Sequence, residues 1–299
     1  MDFKRIARLN PLNDFAFQKA MGEEGDEAQL TAFLRAVLDR TGKGDVTSVR
    51  IIENTELKAD AAGGKAVRLD VLAEAVVRTE RVDADIEVQI KNEYNMARRS
   101  LYYWARKYGR ILDVGEDYTK LPAVVAVNIL GYGYFAVADY HTSFHLWEDR
   151  HKELQLTDAC EIHFLDMVRF RKFRAAKGFN LDEPLNRWMA YFDKKSPRET
   201  IEEVLNMDAT IQEFQEKLER IHRDKALMRM YDQYEKTERD WISSMRGAER
   251  KGELKGVAKG RIEGEQIGVA KGIPRGVAEA MALLERGLSA DEIKARYGL

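Results

Sequence analysis

The stretch RVDADIEVQIKN, residues 81 to 92, decides the fold, because polar and apolar side chains alternate along it. From Asp85 to Lys91 the odd positions are polar and the even positions are apolar: Asp85, Glu87, Gln89 and Lys91 against Ile86, Val88 and Ile90. A period of two predicts a β-strand with one buried face. The other face carries two acids, an amide and an amine, which indicates either a solvated face or a functional site.

The neighbouring segment 65–77, KAVRLDVLAEAVV, has the same period and predicts the antiparallel partner of this strand. If the chain turns back near Arg78 and Thr79, the apolar residues pair throughout: Leu69 with Val88, Val71 with Ile86 and Ala73 with Ala84. The same register places Asp70 opposite Glu87. The turn contains no glycine, so its chemistry does not fix this register, and a bulge would shift it by one residue.

Asp70 and Glu87, held on facing strands, suggest a metal site. Like charges directly opposite each other destabilise a strand pair, and a cation between them would offset the repulsion. Mg²⁺ prefers oxygen ligands and usually takes one or two carboxylates plus substrate phosphate. Such an ion polarises a phosphodiester and generates hydroxide from water, which Gln89 or Lys91 would position. The alternative is a solvated strand face, but the apolar neighbours of Asp70 in VRLDVL favour the metal site.

The rest of the N-terminal half predicts an α/β fold. Helical spacing follows the segment NPLND, where Asn13 or Asp14 would cap a helix. Three strand-like segments come next, and a helical segment, 95–115, leads to a fourth strand, 122–132. Two further strands are predicted in SFHLWEDR and EIHFLDM. This order predicts a mixed sheet flanked by helices that is complete by about Phe173, with helices beyond it.

Composition limits the classes of function and the compartment. Lys and Arg total 49 against 51 Asp and Glu, so any contact with nucleic acid must come from a local basic surface. Cys160 is the only cysteine, which excludes an internal disulfide, and no histidine spacing suggests structural zinc. No stretch has the pattern of a signal peptide or the length of a membrane span. We therefore expect a cytoplasmic protein.

The C-terminal third has a different pattern. Glycine recurs at every fourth position: 252, 256, 260, 264, 268, 272 and 276. Each internal glycine costs a helix about 1 kcal/mol relative to alanine, so this segment is either a helix that packs closely on a partner helix in a dimer, which we favour, or a flexible charged linker. Pro274 predicts a break. Beyond it two short helices are expected, with Gly287 ending the first and a capping box at Ser289 and Glu292 starting the second.

Five blocks in order resemble the Rpn-type family of recombination-promoting nucleases, also described as PD-(D/E)XK nuclease family transposases. The blocks are NPLNDFAFQKAMG, RLDVLAE, DIEVQIKN, RRSLYYWARKYGRILDVGEDYTKLPAVVAVNIL and EIHFLDMVRF. They cover about residues 9 to 175. The resemblance implies the PD-(D/E)XK core, with a metal-binding Asp on the second strand and an (Asp/Glu)-x-Lys motif on the third.

The resemblance assigns roles to particular residues. Asp70 is the first metal-binding acid, Glu87 is the second, and Gln89 stands in the position of the motif lysine. Asp14 matches the acid that the family carries in its first helix and would join the metal shell, with a helix N-cap as the alternative. Because Gln89 is uncharged, Lys91 is the candidate that would supply the missing positive charge.

DNA contacts are expected from local basic residues. In the first helix the family often has two lysines after a phenylalanine, whereas this chain has Gln18 followed by Lys19, which leaves Lys19 as the phosphate contact. The helix after the third strand carries the other candidates: Arg98, Arg99 and Arg106, with Lys107 and Arg110 further along. The alternative for each is a solvated helix face. The aromatic run from Tyr102 to Trp104 is predicted to be core rather than a base-stacking platform.

The sequence therefore predicts a metal-dependent DNA endonuclease that uses Mg²⁺, with Mn²⁺ as an alternative, and that promotes recombination. The alternatives are a catalytically inactive nucleic-acid-binding or interaction module on the same fold, and an RNA-cleaving nuclease. A homodimer through the C-terminal helical region is expected. The predicted divisions are a nuclease core, a helical arm, a glycine-spaced segment and a two-helix element: 1–175, 176–246, 247–276 and 277–299.

Overall fold

The computed structural model describes residues 9–52, 71–112, 115–176 and 178–298, and six strands within them form one mixed sheet. The strands are β1 (Val46–Ile52), β2 (Val71–Val77), β3 (Glu80–Gln89), β4 (Ala123–Leu130), β5 (His141–Trp147) and β6 (Gln155–Asp166). Their order across the sheet is β1-β2-β3-β4-β6-β5. The predicted mixed sheet flanked by helices is confirmed.

The helices flank the sheet and continue to the C-terminus. They are α1 (Asp14–Met21), α2 (Glu27–Leu38), α3 (Met96–Tyr108), α4 (Met167–Arg174), α5 (Pro184–Phe192), α6 (Arg198–Met207), α7 (Ala209–Arg223), α8 (Lys225–Glu285) and α9 (Ala290–Tyr297). None of these helices is both long enough and apolar enough to cross a membrane.

The predicted register of the β2–β3 hairpin is confirmed where the structure describes it. Val71 pairs with Ile86 and Ala73 with Ala84, and the two strands are joined by a tight turn in which Arg78 has a φ of 57°. The pairings predicted for Leu69 and Asp70 lie outside the described residues. On its other side β3 pairs in parallel with β4, which makes β3 a central strand.

The apolar face of β3 belongs to the main core. Ile86 and Val88 lie in one buried cluster with Phe17 of α1 and Phe33 of α2. Asn13 caps α1, because its side chain accepts hydrogen bonds from the backbone N–H groups of Phe15 and Ala16. The N-cap is therefore Asn13, and Asp14 occupies the first helical position.

Helix α3 covers the opposite face of the sheet, and two of its side chains make hydrogen bonds to strand β4. Trp104 Nε1 donates to the carbonyl of Val124 at 2.9 Å, and Ser100 Oγ bonds to Asn128 Oδ1 at 2.9 Å. The predicted aromatic core was wrong at Tyr102, which is 58 % exposed. Helix α3 also contributes Met96 to a small apolar cluster with Leu130 and Phe164, so polar and apolar side chains both lie under it.

The helices after the sheet share the core of the N-terminal helices. Trp188 and Phe192 of α5 and Phe214 of α7 form a network of ring contacts with Phe17 and Phe33. Contacts within the chain group residues 1–238 into one compact unit and residues 239–299 into a second. The divisions predicted at residues 176, 247 and 277 remain predictions.

Within the second unit, helix α8 includes every glycine of the period-four repeat and continues through Pro274 to Glu285. The predicted break at Pro274 was wrong, because the φ of proline is close to the helical value and the chain can pass through it with the loss of one hydrogen bond. Of the two short helices expected after Pro274, the first is therefore the end of α8. Gly287, with φ of 87°, follows it, and the capping box of Ser289 and Glu292 starts α9 as predicted.

Candidate active site

The polar face of β3 is buried, so the alternative of a solvated strand face was wrong for this strand. The exposed fractions are 4 % for Asp83, 4 % for Asp85, 3 % for Glu87 and 8 % for Gln89. Charged side chains are almost never buried to this degree without a partner. This row of side chains, which we call the acid row (Asp83, Asp85 and Glu87), therefore needs positive charges nearby.

Each member of the acid row has a cation beside it. Arg81 Nε lies 3.0 Å from Asp83 Oδ1, and a guanidinium N–H of Arg99 donates to Glu87 Oε1. Lys107 interacts electrostatically with Asp85, while its Nζ donates to the carbonyl of Ala84 at 3.0 Å. Arg99 and Lys107 both come from α3, at positions eight residues apart on one helix face. Helix α3 thus supplies the counter-charges for the inner part of the row.

Positive charge is nevertheless insufficient at the Glu87 end of the acid row, which we call its inner end. Burial raises the pKa of the Asp85 carboxyl to about 6, against the opposing effect of Lys107. Burial likewise raises the pKa of Glu87 to about 7; Arg99 counteracts this, whereas the nearby carboxylates of Asp85 and Asp14 add to it. In addition, Asp85 Oδ1 has no hydrogen-bond partner among the described residues. A further cation at this end would relieve the repulsion between these carboxylates.

A cavity of about 570 Å³ adjoins the inner end of the row. Its wall includes Asp14, Gln89, Lys91 and Arg99, and Glu87 connects to it through its bond to Arg99. The first turns of α8 close the other side with these residues: Met230, Gln233, Tyr234, Thr237 and Glu238. The structure therefore brings together three residues that the sequence pointed to, Asp14, Gln89 and Lys91.

Gln89 and Lys91 are connected directly. Gln89 Nε2 donates to the carbonyl oxygen of Lys91 at 2.8 Å. Strand β3 ends at Gln89, so Lys91 lies beyond the regular alternation of the strand although it reaches the same cavity. The acid Glu238, whose pKa is raised by burial and by Glu235, interacts electrostatically with Lys91 across this cavity.

The candidate DNA-binding residues are not gathered at this cavity, with the exception of Arg99. Arg99 is tied to Glu87, lies 3.6 Å from Glu93 and stacks over the ring of Tyr103 at 5.4 Å. Lys19 pairs with Glu23 one helical turn further on. Arg98 is exposed and Arg106 is half-buried, and neither lines the cavity wall.

Sequence reasoning missed Asp85 and Lys107 as parts of the site. Asp85 was recognised only as one polar residue of the strand, although it contributes to the raised pKa of Glu87. The expected phosphate contact Lys107 instead points its amine at the sheet, where burial lowers its pKa. The available signal was the spacing of Arg99, Tyr103 and Lys107, which places three polar groups on one helix face opposite an acidic strand.

The donors at the site fit a hard divalent cation. The carboxylate of Glu87 interacts electrostatically with those of Asp85 and Asp14, and oxygen atoms are the ligands that Mg²⁺ and Mn²⁺ prefer. No group of three or more His, Cys, Asp or Glu residues stands ready to hold a metal within the described part of the chain. Asp70, the other carboxylate that the sequence assigns to this site, lies outside those residues.

A second buried polar cluster, formed by His141, Glu161 and His163, lies on the opposite face of the sheet. His163 bonds through one ring nitrogen to Glu161 Oε1 at 2.8 Å and through the other to His141 at 2.8 Å. Burial lowers the pKa of His141 to about 3, so this imidazole is neutral near pH 7. Both ring nitrogens of His163 are therefore occupied, whereas His141 Nδ1 has no hydrogen-bond partner among the described residues.

Comparison with known proteins assigns the chain to a family. A family model described as PD-(D/E)XK nuclease family transposase matches residues 11–248, whereas searches of curated proteins and of solved structures gave no match. Nucleases with this domain generally use divalent metals and act on nucleic acid. The match covers most of the chain and includes the sheet, the acid row and the cavity. The chain therefore belongs to the PD-(D/E)XK nuclease family of transposases.

Proposed function

We propose that the protein is a Mg²⁺-dependent DNA endonuclease, in which Mn²⁺ can replace Mg²⁺. The observation that carries the proposal is the buried carboxylate of Glu87, which has two acids in its neighbourhood and connects through Arg99 to an open cavity. A buried acid with a raised pKa beside a cavity is typical of a functional site rather than of a structural ion pair. The reaction is hydrolysis of a phosphodiester bond.

Glu87 and Asp70 are the proposed metal ligands. The register predicted from the sequence would set Asp70 opposite Glu87, and the adjoining pair of that register, Val71 with Ile86, is present in the structure. A bound divalent ion supplies Lewis acidity to the phosphate and lowers the pKa of a water molecule. The chain itself fixes the direction of the Glu87 carboxylate, because Arg99 holds Oε1 from the side of α3.

Gln89, Lys91 and Asp14 act from the cavity wall. We assign to Gln89 the orientation of the attacking water, since its amide is anchored by the carbonyl of Lys91. Lys91 supplies the positive charge that the amide of Gln89 lacks and stabilises charge that develops on the phosphate. Asp14, at the first position of α1, adds a carboxylate to the metal side of the cavity.

The phosphate backbone of DNA would be held by basic residues of α1 and α3 outside the cavity wall. Arg98 is exposed one position before Arg99, and Arg106 lies two helical turns further along the same helix. Lys19 lies on α1 and pairs with Glu23. This ion pair is partly exposed, so a phosphate could replace Glu23 as the partner of Lys19. Such contacts position DNA without reading its sequence, so we propose cleavage with little sequence specificity.

The broader setting follows from the same proposal. Cutting DNA promotes recombination. A homodimer through the C-terminal helical region would bring two active sites to the two strands of the DNA. Helix α8 exposes apolar side chains that a second copy could cover: Leu254, Val257, Ile262, Ile267, Val269 and Ile273. The single buried Cys160 fits a cytoplasmic location. Sedimentation of the full chain tests the dimer.

One observation favours a second candidate function, a catalytically inactive nucleic-acid-binding module. The position of the motif lysine is held by Gln89, whose amide is occupied by a backbone carbonyl, and Glu87 is already neutralised by Arg99. Such a protein would keep the fold and bind nucleic acid without cutting it.

A cleavage assay separates these functions. Supercoiled plasmid and a labelled RNA are incubated with the full chain, with E87Q, with D70N and with E80Q, in Mg²⁺ or in chelator. E80Q is the matched control, because Glu80 is an exposed acid at the start of the same strand. We expect nicking by the wild type and E80Q in Mg²⁺, and a loss of about 10²-fold or more in E87Q and D70N.

Each other outcome contradicts a part of the proposal. Equal nicking by the wild type and E87Q would exclude Glu87 from the site. Cleavage of RNA alone would replace the DNA substrate by RNA. No cleavage of either substrate, together with binding of both, would establish the inactive module.

A further inference from the structure

The second compact unit carries a shallow basic groove on helix α8. The groove measures about 310 Å³ and is lined by Arg239, Ile242, Ser243, Arg246 and Arg250. Three of its five lining residues are arginines and none is an acid. We call it the arginine groove. It lies on a different unit of the chain from the acid row and its cavity.

The arginines of the groove lie on one face of the helix. At 100° per residue, Arg246 and Arg250 are each within about 20° of the direction of Arg239 around the axis. Along the axis, Arg246 and Arg250 are about 6 Å apart. The groove therefore presents a straight row of guanidinium groups, with the hydroxyl of Ser243 between the first two.

The segment around the groove places like charges one helical turn apart. Arg246 is followed at four residues by Arg250, Lys251 by Lys255, and Lys255 by Lys259. Each such pair destabilises a helix by about 0.2–0.5 kcal/mol. Arg246, Arg250, Lys251 and Lys255 are exposed and make no ion pair within the described residues.

Further along the same helix, three cations have an acid four residues on instead of another cation. Lys259 pairs with Glu263, Arg261 with Glu265 and Arg275 with Glu279, in each case four residues on. Opposite charges at this spacing stabilise a helix. Arg246, Arg250, Lys251 and Lys255 thus stand together without an ion-pair partner among the described residues, a grouping that Lys271 further along does not share, and an external anion would match their charge.

Net charge favours a polyanion as that partner. Residues 239–299 contain 12 Lys and Arg against 9 Asp and Glu, whereas residues 1–238 contain 37 against 42. We infer that the arginine groove binds the sugar-phosphate backbone of DNA, through contacts that do not read sequence and that are separate from the proposed cleavage site. The inference rests on the proposed function for the presence of DNA, and it adds a second DNA-binding surface.

The chemistry of the groove fits phosphate well. Arginine presents a planar fork that matches two phosphate oxygens, and the Ser243 hydroxyl can donate a further hydrogen bond. DNA carries a phosphate at about every 3.4 Å of axis on each strand, so a row of arginines at intervals of 6 Å or more meets phosphates in any register. Neutralisation by DNA would also remove the repulsion between the cations of the segment, and it would therefore strengthen the helix there.

The test is the affinity of the full chain for a short fluorescent duplex in chelator, where no metal-dependent cleavage occurs. R246Q/R250Q removes two charges from the groove. R261Q/R275Q is the matched control, because it removes two arginines from the same helix that are already paired with acids. Anisotropy is measured at several salt concentrations.

We expect R246Q/R250Q to weaken binding about ten-fold and to lower the slope of log Kd against log salt by about 2, since each lost phosphate contact contributes about 0.9. R261Q/R275Q should change the slope by less than half as much. Far-ultraviolet circular dichroism shows whether both variants keep their helices, and R246K/R250K, which keeps the charge, should retain most of the affinity.

Three results would overturn the inference: equal weakening by both double glutamine variants, no weakening by either, or a change in self-association without a change in DNA binding. The last would assign the groove to contact between copies of the chain. Failure of the proposed function is recognised separately. If the wild type cuts no DNA in Mg²⁺ while R246Q/R250Q still weakens binding, the groove stands and the nuclease activity does not.

Discussion

Strand β3 and helix α8 both carry like charges at neighbouring positions on one face, yet the two regions are opposites in what covers them. The acids Asp83, Asp85 and Glu87 lie beneath α3, which brings Arg99 and Lys107 to them. The cations Arg246 and Arg250 are exposed and make no ion pair among the described residues. The role of a row of like charges thus depends on whether another element of the chain covers it. A covered row builds a site, and an uncovered row builds a surface for a partner.

Breaking the covered row has the largest expected effect on stability. R99A leaves Glu87 as a buried carboxylate without its cation, and removal of one partner from a buried pair costs about 3–5 kcal/mol. R98A, on the exposed side of the same turn, should change the free energy of unfolding by less than about 0.5 kcal/mol. Urea denaturation of both variants in chelator measures the difference. Similar small changes in both would show that α3 does not neutralise the row.

The second test uses pH and the raised pKa of Glu87. The folded protein holds a proton on this carboxyl up to about pH 7, whereas the unfolded chain releases it near pH 4.5. Ionisation of the Glu87 carboxyl therefore lowers the free energy of unfolding as pH rises through this range. Below the range the carboxyl is protonated in both states and has no such effect. Relative to the wild type, E87Q should gain up to about 3 kcal/mol in free energy of unfolding between pH 4.5 and pH 7. E80Q should show no such gain, and a gain of equal size in E80Q would refute the assignment.

Glycine substitutions contrast the two regions at a smaller scale. A Cβ at Gly131, beside β3, would lie 3.0 Å from the Cα of Ile90, so G131A should destabilise the protein by about 1–3 kcal/mol. A Cβ at Gly256 of α8 would meet nothing within 4 Å, so G256A should stabilise the helix by about 1 kcal/mol. Thermal unfolding followed by circular dichroism checks both signs. Destabilisation by G256A would indicate that a partner packs on α8 at this glycine.

The smallest expected effect comes from the uncovered row. K255E replaces two like-charge pairs by pairs of opposite charge, with Lys251 and Lys259, and should strengthen the helix by about 0.5 kcal/mol. The same change should weaken DNA binding, because it reverses a charge beside the arginine groove. Helicity and anisotropy are measured on the same sample. An increase in both helicity and DNA affinity would contradict the inference that this segment binds a polyanion.

The sequence predicted the sheet and the position of the acids because β-strand patterns are local. The apolar pairs Val71–Ile86 and Ala73–Ala84 fix the register, and the register fixes which acids share a face. The covering helix could not be predicted in the same way. The aromatic run of α3 suggested Tyr102 as core, but this side chain is exposed, and it is Ser100 and Trp104 whose polar atoms bond to β4.

The same reasoning explains the errors in the C-terminal region. Propensity counts each glycine and Pro274 as a penalty, whereas the structure continues α8 through all of them. The roles of Arg99 and Lys107 also depended on knowing which strand α3 covers. Charges on two elements that are distant in sequence are matched only by tertiary packing, so their pairing was not visible in the spacing of either element alone.

The most direct test of the account is the binding of Mn²⁺ to the metal-free protein, measured by isothermal titration calorimetry with E87Q, D70N and E80Q in parallel. We predict that the wild type and E80Q bind Mn²⁺ with equal affinity, and that E87Q and D70N lose binding by about ten-fold or more. Binding of Mn²⁺ to E87Q with the affinity of the wild type would contradict the claim that the buried acid row forms a metal-dependent active site.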